Sequence, residues 1–288
     1  MKRLLFVLAV GAAFFPGADA LAKAPARHAV AISPTPVLNT PDFKKVFGGK
    51  IKLDPCKGVR PIEFVALTGT LFTILEESIK DGVTVYRVAS DDYPYLSQTK
   101  FFIDARFVEM VSGPLRERPR SLPAVVEIQR RLLAALGRPY VWGGNVKEGA
   151  PLLRSYYPDG DALAGADCSG LLYEATDGFT PRNTSALTGF GQAVAVAGLS
   201  AREIAGKLKP LDLLVWKGHV VMVLDADSVI ESRMGCAGRS GVMTTPLQQA
   251  LRKLMKSRQP QDLIPEGSAG AESFVVRRWH PALTLKAS

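Results

Sequence analysis

Apolar residues change their spacing several times along the chain, and each change marks a boundary. Leu4 to Phe15 form a nearly unbroken apolar run behind Lys2 and Arg3, closed by Pro16 and Gly17. It is far shorter than the ~20 apolar residues of a membrane-spanning helix. Small residues follow at Ala18, Ala20 and Ala22, so residues 1–22 are expected to be a secretory signal. An uncleaved anchor is the alternative. Residues 23–50 mix Pro, Ala and Lys around one weak apolar stretch, His28 to Ile32, and read as a lead-in segment. From Ile51 to Val111 the period becomes short. β-Branched runs between glycines predict strands at Ile62–Leu67, Thr70–Leu75, Thr84–Val88 and Phe101–Ile103. That spacing suggests a small all-β barrel.

Residues 112–120 hold two prolines and four charges, which is linker composition. Pro123 then opens a helix whose stripe is Val125, Ile128, Leu132, Leu133 and Leu136, with Gly137 as its stop. A helix near Cys168–Thr176 comes next. Strands follow at Leu213–Trp216, His219–Leu224, Ser228–Ser232 and Phe274–Trp279. The second half therefore reads as α+β with an antiparallel sheet. The expected division is a signal at 1–22, a lead-in and barrel at 23–115, and a second domain at 116–288.

Composition narrows the class. Hydrophobic residues make up 47% and charged residues 22%, which excludes a disordered tail protein. The net charge of +9 favours anionic partners without naming them. No Gly-rich or RNP-type motif supports nucleic-acid binding. Three cysteines are too few for a disulfide scaffold, and no CxxC pair points to zinc. An exported monomer of the periplasm or cell envelope, without stable membrane insertion, is the expectation.

Histidine is scarce: only His28, His219 and His280 occur. His219 alone begins a strongly apolar strand. Such a residue can be purely structural unless a nucleophile lies near it. Cys168 is a candidate. Asp167 is a good N-cap, and a thiol in the first helical turn faces unpaired N–H groups and the positive end of the helix dipole. A buried, inert cysteine is the alternative. The turn Asp225-Ala226-Asp227 makes a hairpin of the two following strands and brings Glu231 opposite or diagonal to His219. There it could fix the imidazole tautomer, unless it is only a solvated strand residue. Arg252, Lys253, Lys256 and Arg258 read as a solvated helix face, with Leu247, Leu251 and Leu254 inward.

Together, Tyr140-Val141-Trp142-Gly143-Gly144, Asp167-Cys168-Ser169-Gly170-Leu171, Pro181-Arg182, Leu208-Lys209-Pro210-Leu211-Asp212 and His219-Val220 resemble the NlpC family of papain-like cysteine peptidases. The resemblance covers roughly residues 123–281, and the preceding barrel is similar to bacterial SH3-like domains. It implies Cys168 as nucleophile, His219 as base, Glu231 as orienting group and Tyr140 beside the oxyanion, with no metal or organic cofactor. Asp167 and Ser169 match residues that bind the free amino end of L-Ala-γ-D-Glu substrates. Trp142, Arg182, Thr184 and Ser185 fall on the substrate side, and Tyr93 and Tyr95 are candidate rim residues of the barrel wall. Glutamate at the third position departs from the family's His, Asn or Gln. Residues 145–164 are an apparent insertion that could rim the cleft, and Leu187 stands where the family has glutamine. The implied activity is cleavage of the γ-D-glutamyl-diaminopimelate bond of peptidoglycan peptides. Rivals are a lytic enzyme of glycan-linked peptides and a non-catalytic wall-binding protein. Cys56 and Cys236 could pair after export, but sequence supplies no Cα separation.

Overall fold

Short β-branched runs separated by tight turns form a seven-stranded antiparallel sheet in the first half of the chain. A computed structural model describes residues 26–48, 60–94, 98–159, 163–235, 239–264 and 272–284. The expected signal, Tyr95, Cys56 and Cys236 lie outside the described residues. The strands are β1 (Arg27–Ala31), β2 (Thr35–Leu38), β3 (Ile62–Ala66), β4 (Leu71–Lys80), β5 (Val83–Ala89), β6 (Phe101–Asp104) and β7 (Val108–Met110), in the order β3-β2-β6-β5-β4-β1-β7. Ala29, Val37, Phe64, Phe72, Val88 and Ile103 come from six of these strands and share one core, so the sheet encloses its own inner face.

Two expectations are corrected here. The supposed lead-in supplies β1, β2 and a short helix α1 (Phe43–Phe47), and β1 sits between β4 and β7. Ala29 and Ala31 are small, and Pro36 lies inside β2, so neither strand carries the usual β-branched signature. Nor is the stretch 112–120 a free linker. Arg118 and Arg120 both donate to the buried Asp92 carboxylate, which also accepts from Thr70 and from Tyr173 of the second half.

The second half begins with α2 (Val125–Ala134) and the small strand pair β8 (Asn145–Val146) and β9 (Gly165–Ala166), with α3 (Leu152–Tyr156) between them. The central helix α4 (Cys168–Ala175) follows, then α5 (Thr184–Leu187), β10 (Gln192–Ala193) and α6 (Ala201–Lys207). Next come β11 (Leu213–Trp216), β12 (His219–Val223), β13 (Ser228–Arg233), β14 (Gly241–Pro246), α7 (Leu247–Leu254), β15 (Gln259–Gln261), β16 (Ser273–Arg278) and α8 (Pro281–Thr284). The main sheet runs β10-β16-β11-β12-β13-β14, antiparallel throughout, with β15 added parallel to β16. Val220, Met222 and Ile230 meet α4 on one face. Val221, Val223 and Val229 meet α6 and α7 on the other. In α2, Ile128 and Leu132 are buried as expected, but Leu133, and Leu136 in the turn just after the helix, are exposed.

The insertion at 145–164 docks on the first sheet. Val146, Leu153 and Tyr157 join Leu38, Phe43, Phe47, Ile62 and Val65 in one apolar cluster. Tyr157 Oη also donates to the buried Asp104 carboxylate at 2.8 Å. The two halves therefore share a core rather than meeting through a tether.

Candidate active site

The nucleophile candidate is placed by a helix start. Asp167, in an extended conformation, caps α4 by accepting the Gly170 N–H at 2.7 Å through Oδ1, which puts Cys168 at the first helical position. Gly170 permits this packing, because a Cβ there would lie 2.1 Å from the Gly144 carbonyl oxygen. Cys168 is buried, with Sγ 3.9 Å from the Gly218 carbonyl oxygen.

Gly218 belongs to the two-residue turn joining β11 to β12, and its φ of +98° favours glycine. The Thr184 hydroxyl accepts the Gly218 N–H at 3.1 Å, so α5 steadies the turn that delivers His219. His219 starts β12 opposite Trp216, with ring centroids 5.1 Å apart. Its Nε2 lies 2.7 Å from Glu231 Oε2. The β12–β13 pairs Met222↔Ile230 and Val223↔Val229 make Glu231 a diagonal neighbour of His219. With Nε2 donating to the carboxylate, Nδ1 is the nitrogen left for the thiol.

Electrostatics join the three residues. Burial works against a charged imidazole. The charge of Cys168 and its hydrogen bond, then Glu231, outweigh that and push the His219 pKa up to about 10. For Glu231, burial raises the pKa, but the His219 hydrogen bond and charge, with Arg233 and Lys253, bring it below the usual carboxylate range. At neutral pH His219 is therefore held as imidazolium. Burial, then the charges of Asp167 and Cys168, drive the half-buried Tyr140 phenol well above its ordinary pKa, so it stays an O–H donor.

Three expected substrate contacts, Asp167, Ser169 and Arg182, instead lie beneath Cys168. Arg182 is buried and spends all five donors within the protein. Nη1 meets Asp167 Oδ1 at 3.0 Å and Ser169 Oγ at 2.9 Å. Nη2 meets Asp167 Oδ2 at 2.6 Å and the Gly144 carbonyl at 3.2 Å, while Nε meets Asn145 Oδ1 at 3.1 Å. Asp167 Oδ2 also accepts the Gly143 N–H at 3.1 Å. Its charge is met by a buried fork, which leaves a substrate ammonium little to bind. Tyr93 is no rim residue either. It stacks on Phe64 at 4.7 Å inside the first core and accepts from Asn183 Nδ2. Ser185 is exposed and its hydroxyl donates to Asn183. Trp142 is half-buried, with the Arg60 guanidinium 3.6 Å from its ring centroid.

Sequence reading missed Asn145, Arg60 and Glu63. Asn145 is fully buried and binds the Val65 backbone with both ends of its amide, tying the nucleophile network to β3. Its place directly after Gly143-Gly144 is the only local signal. Glu63 follows Ile62, whose methyl lies 2.7 Å from where a Gly143 Cβ would be. Among the described residues, no three His, Cys, Asp or Glu side chains come together as a metal-ligand group, and no helix is long and apolar enough to cross a membrane.

No family model matches the chain, and no curated protein matches it. Among solved structures, an NlpC/P60 family protein from Bacillus cereus is similar at 17% identity and a TM-score of 0.35, over 89% of this chain and 64% of that one. NlpC2 from Trichomonas vaginalis is similar at 14% identity and a TM-score of 0.30, over 88% of this chain and 72% of that one. The chain thus spans less than two thirds of the Bacillus cereus protein's length, at 64%. At such TM-scores the site's own geometry carries the functional argument.

Proposed function

We propose that the protein is an exported, monomeric cysteine endopeptidase of the cell envelope that hydrolyses the γ-D-glutamyl-diamino acid bond of peptidoglycan stem peptides. One observation carries the reading: the part-buried His219 imidazole, 2.7 Å from the Glu231 carboxylate through Nε2, directly follows Gly218, whose carbonyl lies 3.9 Å from the Cys168 thiol at the N-terminus of α4. The Cys168 thiolate attacks the D-Glu γ-carbonyl. The Cys168 N–H and the Tyr140 hydroxyl donate to the oxyanion. The His219 imidazolium gives its proton to the leaving amine as the carbon–nitrogen bond breaks. His219 then takes a proton from water, which attacks the thioester and frees Cys168. Glu231 holds the tautomer throughout.

The bond and substrate class rest on the sequence motifs and the basic chain. With the Asp167 charge already met by Arg182, a free L-Ala amino end would pair with Glu63. That carboxylate accepts from Asn39 at 2.7 Å and has no ion pair among the described residues. The first sheet, as the SH3-like wall, supplies this acid.

The test is mass spectrometry of L-Ala-γ-D-Glu-diaminopimelate and of glycan-linked stem peptides after incubation with the full chain at equal concentration. Cleavage at the D-Glu–diaminopimelate bond, faster for the free peptide and reduced by Glu63→Gln, is expected. No cleavage of either overturns the peptidase reading. Equal rates replace it with the lytic reading, which the spent charge of Asp167 favours.

A further inference from the structure

Beyond the His219–Glu231 pair lies a cavity of about 480 Å³ between α7 and the sheet. Its floor is apolar, from Leu214, Val221 and Trp216, while Arg233, Lys253 and Arg258 stand on its walls. Glu231 is the sole acid among its lining residues, and that carboxylate is engaged by His219. Lys253 and Arg258 belong to the charged face that the sequence suggests is merely solvated. Here they converge on a cavity.

Each cation has donors to spare. Arg233 contacts Glu231 only at 3.6 Å and otherwise meets the Met243 sulfur. Arg258 lies 4.5 Å from the Trp216 ring centroid, donates to the Ser257 hydroxyl, and keeps a buried Nε with no acceptor among the described residues. Lys253 is exposed and near enough to Glu231 to lower its pKa, without forming an ion pair among the described residues. Like charges are gathered over an apolar floor, with donors left unpaired. An isolated apolar cavity would need none of them, and a solvated face would spread them apart.

The geometry points to a carboxylate-binding pocket that receives the leaving portion of the substrate, a diamino acid with an aliphatic stem. The stem lies on Trp216, Leu214 and Val221, and the carboxylate meets Lys253 and Arg258. Because His219 lines the same cavity, an occupant there adjoins the group that hands its proton to the leaving amine. The identity of the ligand rests on the proposed peptidase reading, whereas the charge and shape of the cavity do not.

The test uses the full chain with diaminopimelate and its dicarboxamide as probes, measured by calorimetry, beside Lys253→Ala and Arg258→Ala variants whose Tm is checked. The acid should bind about tenfold or more tightly than the dicarboxamide, and each substitution should weaken the acid alone by a similar factor. The dicarboxamide comparison needs no variant, so an unfolded Arg258→Ala protein leaves the question decidable. Absence of binding, or equal binding of acid and dicarboxamide, overturns the pocket. Tripeptide hydrolysis is followed in parallel. Hydrolysis with indifferent probe binding removes the pocket and keeps the peptidase. Charge-dependent binding without hydrolysis keeps the carboxylate pocket and removes the peptidase.

Discussion

Two carboxylates flank the proposed Cys168–His219 pair, and their surroundings give them opposite tasks. Asp167 lies under Cys168, where the Arg182 fork, the Gly143 and Gly170 N–H groups and the Ser169 hydroxyl surround it. Its charge is absorbed locally, and the result is a fixed helix start. Glu231 lies across His219 on the rim of a cavity, and its one short partner among the described residues is His219 Nε2 at 2.7 Å. The first carboxylate holds a helix start, while the second, itself ionised, accepts from the imidazole that keeps the proton. Altering the Glu231 side should therefore change rate more than stability. Altering the Asp167 side should do the reverse.

The largest effect tests the centre of that comparison. Cys168→Ala and His219→Ala should each abolish hydrolysis, a loss on the order of 10⁶-fold, because nucleophile and base act as one unit. The double variant should lose no more than either single one. Single-turnover rates on the free tripeptide measure this, with circular dichroism as the check on folding. Comparable turnover by purified Cys168→Ala protein would end the mechanism.

Next come the Glu231 variants. Glu231→Gln can still accept from Nε2–H through its amide oxygen but no longer stabilises imidazolium by charge. Glu231→Ala loses both. The first should keep measurable activity, and the second should approach the ~10⁴-fold loss seen when an orienting acid is disabled. Neither should shift Tm by more than a few degrees. Two silent substitutions would mean that His219 does not depend on Glu231.

How much of this was readable beforehand differs between the same two regions. The hairpin around Glu231 was legible, since a short Asp-Ala-Asp turn between two apolar strands sets register within a residue or two. The surroundings of Asp167 were not. Its partners Arg182 and Gly143 come from loops distant in sequence, and no periodicity encodes a loop-to-loop hydrogen bond. Strands β3 to β6 were legible from their β-branched runs. β1 and β2 were hidden behind alanines and Pro36, whose burial depends on neighbours far along the chain. Composition also misjudged Arg118 and Arg120, whose acceptor Asp92 lies in the turn that follows β5.

On the Asp167 side the expected loss is in stability. Arg182→Met leaves a buried carboxylate without its cation and should cost about 3–5 kcal/mol in a urea titration. Adding Asp167→Asn should recover part of that loss, because the uncompensated charge is then gone. A cost below ~1 kcal/mol for Arg182→Met would show that the fork contributes no more than an exposed pair does.

The last expected effect is a pH dependence of stability, and it separates the two sides without removing either carboxylate. Folding raises the His219 pKa from 6.5 to about 10, so the folded protein binds that proton more tightly than the unfolded chain. The stabilisation is complete below about pH 6.5 and is lost as pH rises through about 10. Glu231 has the opposite sign. Its folded pKa lies below 4.5, so its contribution is present above that value and fades as pH falls through the folded pKa. Thermal melts between about pH 6 and about pH 10 should therefore show Tm falling on the alkaline side. His219→Ala should flatten that slope. Cys168→Ala should also flatten it, because the charge of Cys168 is the foremost influence raising the imidazole pKa. Arg182→Met should lower Tm at every pH and leave the slope unchanged, since its partner Asp167 takes no part in holding the His219 proton. An alkaline slope that survives both His219→Ala and Cys168→Ala would place its origin outside the reacting pair.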